Sequence, residues 1–247
     1  MAGIVFYRGE SLIDGAPIVG IAINGSRNQK TGGQLIQTYI IREDMSPMHA
    51  SKSGLDVSIC GECKHRGKPT DNPEKKIASE RSCYVNLGQG PTTIYKGLQR
   101  GIYPDASADI IKGFADGKGV RLGTYGDPAA IPRSAWDALL MGASFHTGYT
   151  HNLRVQPSMS ELCMVSADSQ QASASAKSHN RRSFRVIPMA VWQAKGKASI
   201  ASHEIMCPAS TEAGARVTCS DCRLCNGSAS KAKSIAIVAH GRGAKYA

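Results

Sequence analysis

Four cysteines, Cys207, Cys219, Cys222 and Cys225, fall within the segment CPASTEAGARVTCSDCRLC. Its C-x-x-C-x-x-C core forces three sulfurs into one tight loop, and the fourth arrives from the end of the preceding apolar run. Thiolates held that close repel one another unless a cation neutralises them, so the spacing calls for metal. A closed four-cysteine zinc site is structural, and an iron–sulfur cluster uses the same ligands at similar spacings. A ferredoxin-type run carries a further cysteine and proline directly downstream. Here Asn226 and Gly227 follow, which favours structural zinc and leaves a cluster open.

A second set, Cys60, Cys63 and Cys83, lies in CGECKH and SCY. A C-x-x-C knuckle with a later cysteine is a fair metal pattern, but three buried thiols would read the same way. His65 is a poor fourth ligand, because it stands only two residues after Cys63. Cys163, inside the apolar run LCMV, reads as a small core residue.

Polar residues also mark the ends of apolar runs. Tyr125, Gly126 and Asp127 follow VRLGT, His146 to His151 form HTGYTH, and Asp168 follows LCMVSA. In barrels and open α/β sheets, chemistry gathers at the C-terminal ends of strands. Asp127 and Asp168 would then face one cleft, with His146, Tyr149 or His151 between them. The alternative is that Asp127 starts the segment at Pro128, and that Asp168 or Ser169 caps a helix from Gln170. His240 ends the run SIAIVA and precedes Gly241-Arg242-Gly243, a segment suited to phosphate or simply a basic tail. Basic residues cluster at 64–76, in KSHNRRSFR with Arg181 and Arg182, and from Arg223 to Lys233.

These groups need elements to position them. Pro17 to Asn24 and Gln34 to Ile41 read as a hairpin, joined by the turn-forming loop GSRNQKTGG. Residues 44–91 have little periodicity and read as a metal-organised loop region. Beyond Ile94, strands at 119–124, 144–147, 162–166, 184–188, 204–207 and 234–239 alternate with helices, notably 131–142 and 170–178. Pro132 is expected in the first turn of the former. Alternating β and α units imply parallel strands with covering helices. The expected fold is α/β and TIM-barrel-like, with an N-terminal β-hairpin and cysteine-rich metal-binding loops; a doubly wound sheet is the runner-up. The expectation is a single domain over 1–247, with hairpin and metal loops in 1–93 and the β/α core in 94–247.

The net charge is +11, from 30 Lys and Arg against 19 Asp and Glu. Such a surplus favours a polyanionic partner, because Lys and Arg displace phosphate counterions. No apolar run is long enough for a membrane span, and the first residues lack a signal-peptide pattern. The chain is therefore expected in the cytoplasm, where its cysteines are thiols rather than disulfides.

Taken together, CGECKHRG, CYVNLGQGP, RLGTYGDPAAIP, HTGYTHN, CPASTEAGARVTCSDCRLC and SIAIVAHG resemble the mycobacteriophage gene-product-88-like family, from about Asp56 to Gly241. More distantly, the chain is similar to phage DNA 7-deazaguanine transglycosylases and tRNA-guanine transglycosylases. Those are TIM barrels with paired aspartates and a cysteine-bound zinc; this chain has four late cysteines where they use three and a histidine. The resemblance implies a DNA-acting enzyme that cleaves the N-glycosidic bond of a base, by exchange or excision, in phage DNA modification or anti-phage defence. Asp127 or Asp168 would stabilise the sugar as the base leaves, and the other would recognise or protonate the base. Tyr125 or Tyr149 would stack on the flipped base. Two other readings stay open. One is a non-enzymatic, metal-stabilised nucleic-acid-binding protein. The other is an iron–sulfur enzyme whose Cys60, Cys63 and Cys83 hold a cluster with one open iron.

Overall fold

A computed structural model describes residues 2–25, 35–214, 217–227, 231–241 and 243–247. Residues 26–33 of the hairpin loop, Gln34 at the start of the expected second strand, and Arg242 lie outside the described residues, as does part of the basic stretch from Arg223 to Lys233.

The β-branched runs form strands where the pattern places them. Strands β1 (Gly3–Glu10), β2 (Pro17–Ile23) and β3 (Ile36–Arg42) pair antiparallel. The expected hairpin is β2–β3, and β1 is an extra partner on its outer edge. Strands β4 (Gly119–Tyr125) and β5 (Phe145–Thr147) then add in parallel, completing a sheet of order β1-β2-β3-β4-β5. A second sheet is wholly parallel, with order β6-β7-β8-β10-β9. Its strands are β6 (Tyr149–Thr150), β7 (Met164–Ala167), β8 (Ser183–Ile187), β9 (Glu204–Met206) and β10 (Ser234–Val238).

The two sheets share one run of chain, since only Gly148 separates β5 from β6. At this break the Gly148 amide donates to the Cys225 carbonyl at 2.8 Å, and its own carbonyl accepts from the Met164 amide at 3.0 Å. A side chain at 148 would put a Cβ 2.7 Å from Cys163 Sγ, so the crossing needs glycine. The α/β class and the parallel strands match expectation, but the TIM-type barrel does not form. The described strands make two five-stranded sheets, one with edges at β1 and β5 and the other at β6 and β9, and no closed barrel.

Helices α1 (Pro47–Ser53) and α2 (Val57–Cys60) organise the region expected to be irregular. Helices α3 (Gly90–Gln99), α4 (Ala108–Phe114) and α5 (Arg133–Leu140) follow, with Pro132 at the capping position just ahead of α5. Helix α6 (Gln170–Ser178) is capped by Ser169, whose hydroxyl accepts from the Ala172 amide at 3.0 Å. That leaves the Asp168 carboxylate available elsewhere. Helices α7 (Met189–Lys195) and α8 (Cys219–Cys222) complete the set. No helix among the described residues is long and apolar enough to cross a membrane.

The larger core packs Ile4, Ile21, Ile40, Val120, Ile131 and Trp136 between the first sheet and its helices. Cys163 belongs to it, 1% exposed, as expected of a core residue. A smaller core of Met164, Cys207, Ala209, Ile235 and Ile237 serves the second sheet. Under that sheet Arg185 forks onto Glu204 at 2.7 and 2.6 Å, both side chains being buried. A buried charge pair of this kind is tolerated only when its hydrogen bonds are satisfied. Here Ser173 and the Ala201 amide supply the remaining donors.

Candidate metal centre and cavity

A cavity of about 430 Å³ opens at the C-terminal ends of the parallel strands. That is where a parallel sheet presents its loops and strand-end side chains. Seven of the eight cysteines line it: Cys60, Cys63, Cys83, Cys207, Cys219, Cys222 and Cys225. The sequence keeps the two sets more than a hundred residues apart, and the fold brings them to one space.

Each cysteine is positioned by identifiable local structure. Cys60 ends α2, and the chain turns at Gly61 with φ +54° to present Cys63. A Cβ at Gly61 would lie 2.0 Å from Asn152 Oδ1, so the knuckle is pressed against Asn152. The Cys83 amide donates to the His65 carbonyl at 2.9 Å, and Arg81 donates to the Cys83 carbonyl at 3.0 Å. Cys207 lies one residue beyond β9, and its amide donates to the Ala236 carbonyl at 2.7 Å. Cys219 and Cys222 bound α8, which a Thr218–Asp221 capping box starts.

Burial disfavours the thiolate form at Cys60, Cys83 and Cys225. Cys60 is pushed well above the usual thiol range by burial, reinforced by Asp56, Cys63 and Cys83. Cys225 is pushed up to about 12 by burial, with the other late thiols adding to the shift. Two arginines that the sequence analysis passed over stand among the thiols. Arg81 neighbours Cys60 and Cys83. Arg121 lies among Cys219, Cys225, Tyr84 and Tyr149, whose negative forms favour its charge against the cost of burial. The signal for Arg121 was present as a lone cation inside the apolar strand GVRLGTY.

Two polar atoms of the lining, Arg81 Nε and Tyr125 Oη, are buried without a hydrogen-bond partner among the described residues. Buried donors are nearly always satisfied, so each is placed to meet a water or another group within the cavity.

The strand-end residues separate into two groups. Tyr125, Gly126, Tyr149, His151, Asp168 and His240 all line the cavity. Tyr149 hydrogen-bonds Cys225, and its ring packs on Phe184 with centroids 4.2 Å apart. His240 lies beside Tyr84, ring centroids 5.8 Å apart. His146 faces elsewhere, with Nε2 3.0 Å from the Leu162 carbonyl, and burial pushes its imidazole down.

Asp127 touches the cavity but is already fully engaged. Oδ1 accepts from the Ala129 amide at 3.0 Å and the Thr150 hydroxyl at 2.6 Å. Oδ2 accepts from the His151 amide at 2.8 Å and the Asn152 side chain at 2.7 Å. With four donors and 6% exposure it is an anchor that caps the turn at Pro128–Ala130, not an open nucleophile.

The basic pair divides as well. Arg181 is exposed, whereas Arg182 is 5% exposed and cannot serve as a surface phosphate contact. Its guanidinium donates to the carbonyls of Leu224, Asn226, Ala232 and Lys233, stapling the late cysteine loop from behind. Gly227 ends that loop at a close approach, where a Cβ would meet the Ser160 carbonyl oxygen at 2.2 Å.

His65, a weak candidate for the early cysteine set, turns toward Asp168 instead. His65 Nε2 is 3.6 Å and His151 Nε2 3.2 Å from Asp168 Oδ1. Burial pushes His65 down to about 4. Burial acts the same way on His151, but hydrogen bonds to Asp168 and Cys63 outweigh it and bring that imidazole up to about 10. Asp168 is raised by burial and lowered more by His151, Lys64 and His65.

Comparison with protein-family models, with curated proteins and with solved structures returns no match for this chain, so a functional reading rests on this geometry.

Proposed function

We propose that this chain is an iron–sulfur enzyme whose substrate occupies the cavity between two cysteine-held centres. The observation that carries the reading is the convergence of Cys60, Cys63 and Cys83 with Cys207, Cys219, Cys222 and Cys225 on one cavity. Zinc knuckles that serve stability alone have no need to face each other across an open space.

The donor sets fit such groups. Four thiolates in the late set close one cluster, and three in the early set leave one iron open. When bound, the clusters supply one-electron transfer and an iron at which substrate can be held. The chain's own residues do the rest. Arg81 and Arg121 offset the negative charge that thiolates bring into a buried space. Tyr149, Tyr125 and the arginines offer O–H and N–H donors toward sulfur, which raise a cluster's potential. Val186, Ile237 and Phe184 form an apolar floor that limits water.

The base-cleaving reading needs two carboxylates facing substrate, and this cavity offers Asp168, while Asp127 is committed to its four donors and Asp56 to Arg66. Anaerobic purification with iron and acid-labile sulfide analysis tests the proposal. About eight irons and eight sulfides per chain are expected, with broad visible absorption, and Cys60→Ser should remove half. A colourless protein holding only zinc would refute it.

A further inference from the structure

We infer that His65, His151 and Asp168 form a further metal site, beside the early cysteine set but with ligands of its own, that takes one first-row divalent cation of the iron(II) or manganese(II) class. Their ligand atoms lie within 4.8 Å of one another, the one such His/Cys/Asp/Glu group among the described residues. A cation about 2.1 Å from each of three neighbouring ligand atoms sets them roughly 3 to 3.5 Å apart. The measured 3.2 and 3.6 Å from the two imidazoles to Asp168 Oδ1 are close to that geometry. An ordinary ion pair needs one imidazole, whereas here two Nε2 atoms converge on a single carboxylate oxygen.

Each ligand comes from a different part of the fold and is held from outside. His65 lies in the turn Lys64–Arg66, and its Nδ1 is 2.7 Å from Ser82 Oγ, which aims Nε2 inward. His151 follows β6, with its amide on Asp127 and its ring also hydrogen-bonded to Cys63. Asp168 follows β7, its carboxylate released because Ser169 caps α6. Partners of this kind on the far side of metal-binding imidazoles fix ring orientation. Two histidines and one carboxylate make the set typical of non-haem iron(II), with the remaining positions open. All three residues line the cavity, so those positions face the space where a substrate would lie. The site uses nitrogen and oxygen ligands only, and it stands whether the cysteines hold clusters or zinc.

Manganese(II) is the probe, because it favours nitrogen and oxygen over thiolate ligands. The full chain, dialysed against chelator, is titrated with manganese(II) and free ion is read by electron paramagnetic resonance. One tight ion per chain is expected, weakened at least tenfold in Asp168→Asn and His65→Gln and regained in part by His65→Asp. Metal and sulfide content at the cysteines should not change in these variants. Wild-type protein that binds no manganese(II), or variants that bind it equally well, would overturn the site. If either variant unfolds, Ser82→Ala carries the same test: weaker binding supports the site and unchanged binding removes it. Absence of acid-labile sulfide would sink the iron–sulfur proposal while leaving the manganese result untouched.

Discussion

Asn152 joins the Asp127 carboxylate to the early cysteine knuckle: one side-chain nitrogen donates to Asp127 Oδ2 at 2.7 Å and to the Cys60 carbonyl at 3.2 Å. The same side chain accepts from the Glu62 amide at 3.2 Å, and the Asp127 amide donates to the Ile59 carbonyl at 2.6 Å. The carboxylate therefore sets where Cys60 and Cys63 stand relative to His151.

Replacing Asp127 by alanine strips the Ala129, Thr150 and His151 donors of their acceptor and leaves the Asn152 side-chain nitrogen with the Cys60 carbonyl alone. Bonds to a charged group are worth about 1.5–3 kcal/mol each, so a loss of at least about 3 kcal/mol in unfolding free energy is expected, along with metal from the early set. Denaturant melts and metal analysis read both. A variant of normal stability and metal content that has lost only turnover would restore Asp127 as a group acting on substrate.

The Arg185–Glu204 pair makes a pH prediction away from the cavity. Burial raises the Glu204 carboxyl, but hydrogen bonds from Arg185, Ser173 and the Ala201 amide outweigh it and hold it below its ordinary 4.5. A depressed folded-state value means the stabilisation is complete above the unfolded-state pKa. It is lost as pH falls through the lower folded one. Glu204→Gln should cost about 3–5 kcal/mol at neutral pH, because it strands a buried guanidinium. The variant should also lose part of the acid sensitivity of the wild type below its unfolded-state value. Equal pH slopes for the two proteins would contradict this.

Much of the frame was legible in the residues. The runs PIVGIAI, GVRLGTY and SIAIV fall on strands, and QQASASAKS is a helix from end to end. Local composition suffices there, because burial and propensity agree. Closure was not legible. A barrel and an open parallel sheet share the same βα alternation, and the difference turns on pairings such as β10 between β8 and β9. The cysteine ligands were readable from spacing, but their meeting in one cavity is a long-range fact. Asp127 and Arg182 misled for a common reason. A charged residue beside a strand end looks the same whether it faces solvent, substrate or backbone carbonyls, and only its partners tell these apart.

Arg182 offers a test of the staple. Arg182→Lys keeps the charge and loses the fork that reaches four carbonyls. Supports of this kind typically matter 10–100-fold in metal affinity, so the late set should lose metal to chelator about that much more readily. Chelator competition followed by metal analysis measures it; an unchanged rate and extent would assign Arg182 a packing role alone.

Arg181 bears on the nucleic-acid partner. It is exposed beside the buried Arg182, on a chain with net charge +11. If DNA binds there, Arg181→Ala should weaken binding for all sequences alike and flatten the log–log salt dependence by about one unit. Fluorescence anisotropy across a salt series is sufficient. Affinity indifferent to salt would argue that the positive charge serves the cavity and solubility instead.

The position of β10 inside its sheet constrains the order in which the protein can be assembled. Ser183 opens β8 and its amide donates to Ser234 Oγ, 51 residues further along. Until that stretch is synthesised, β8 and β9 present unpaired edges, and Cys207 lacks the Ala236 carbonyl that fixes it in place. Nascent chains with open edges are the ones that associate wrongly, and distant pairings of this kind form slowly. The late cysteines are thus fixed in place only once β10 has been made, and whatever loads them acts after that point.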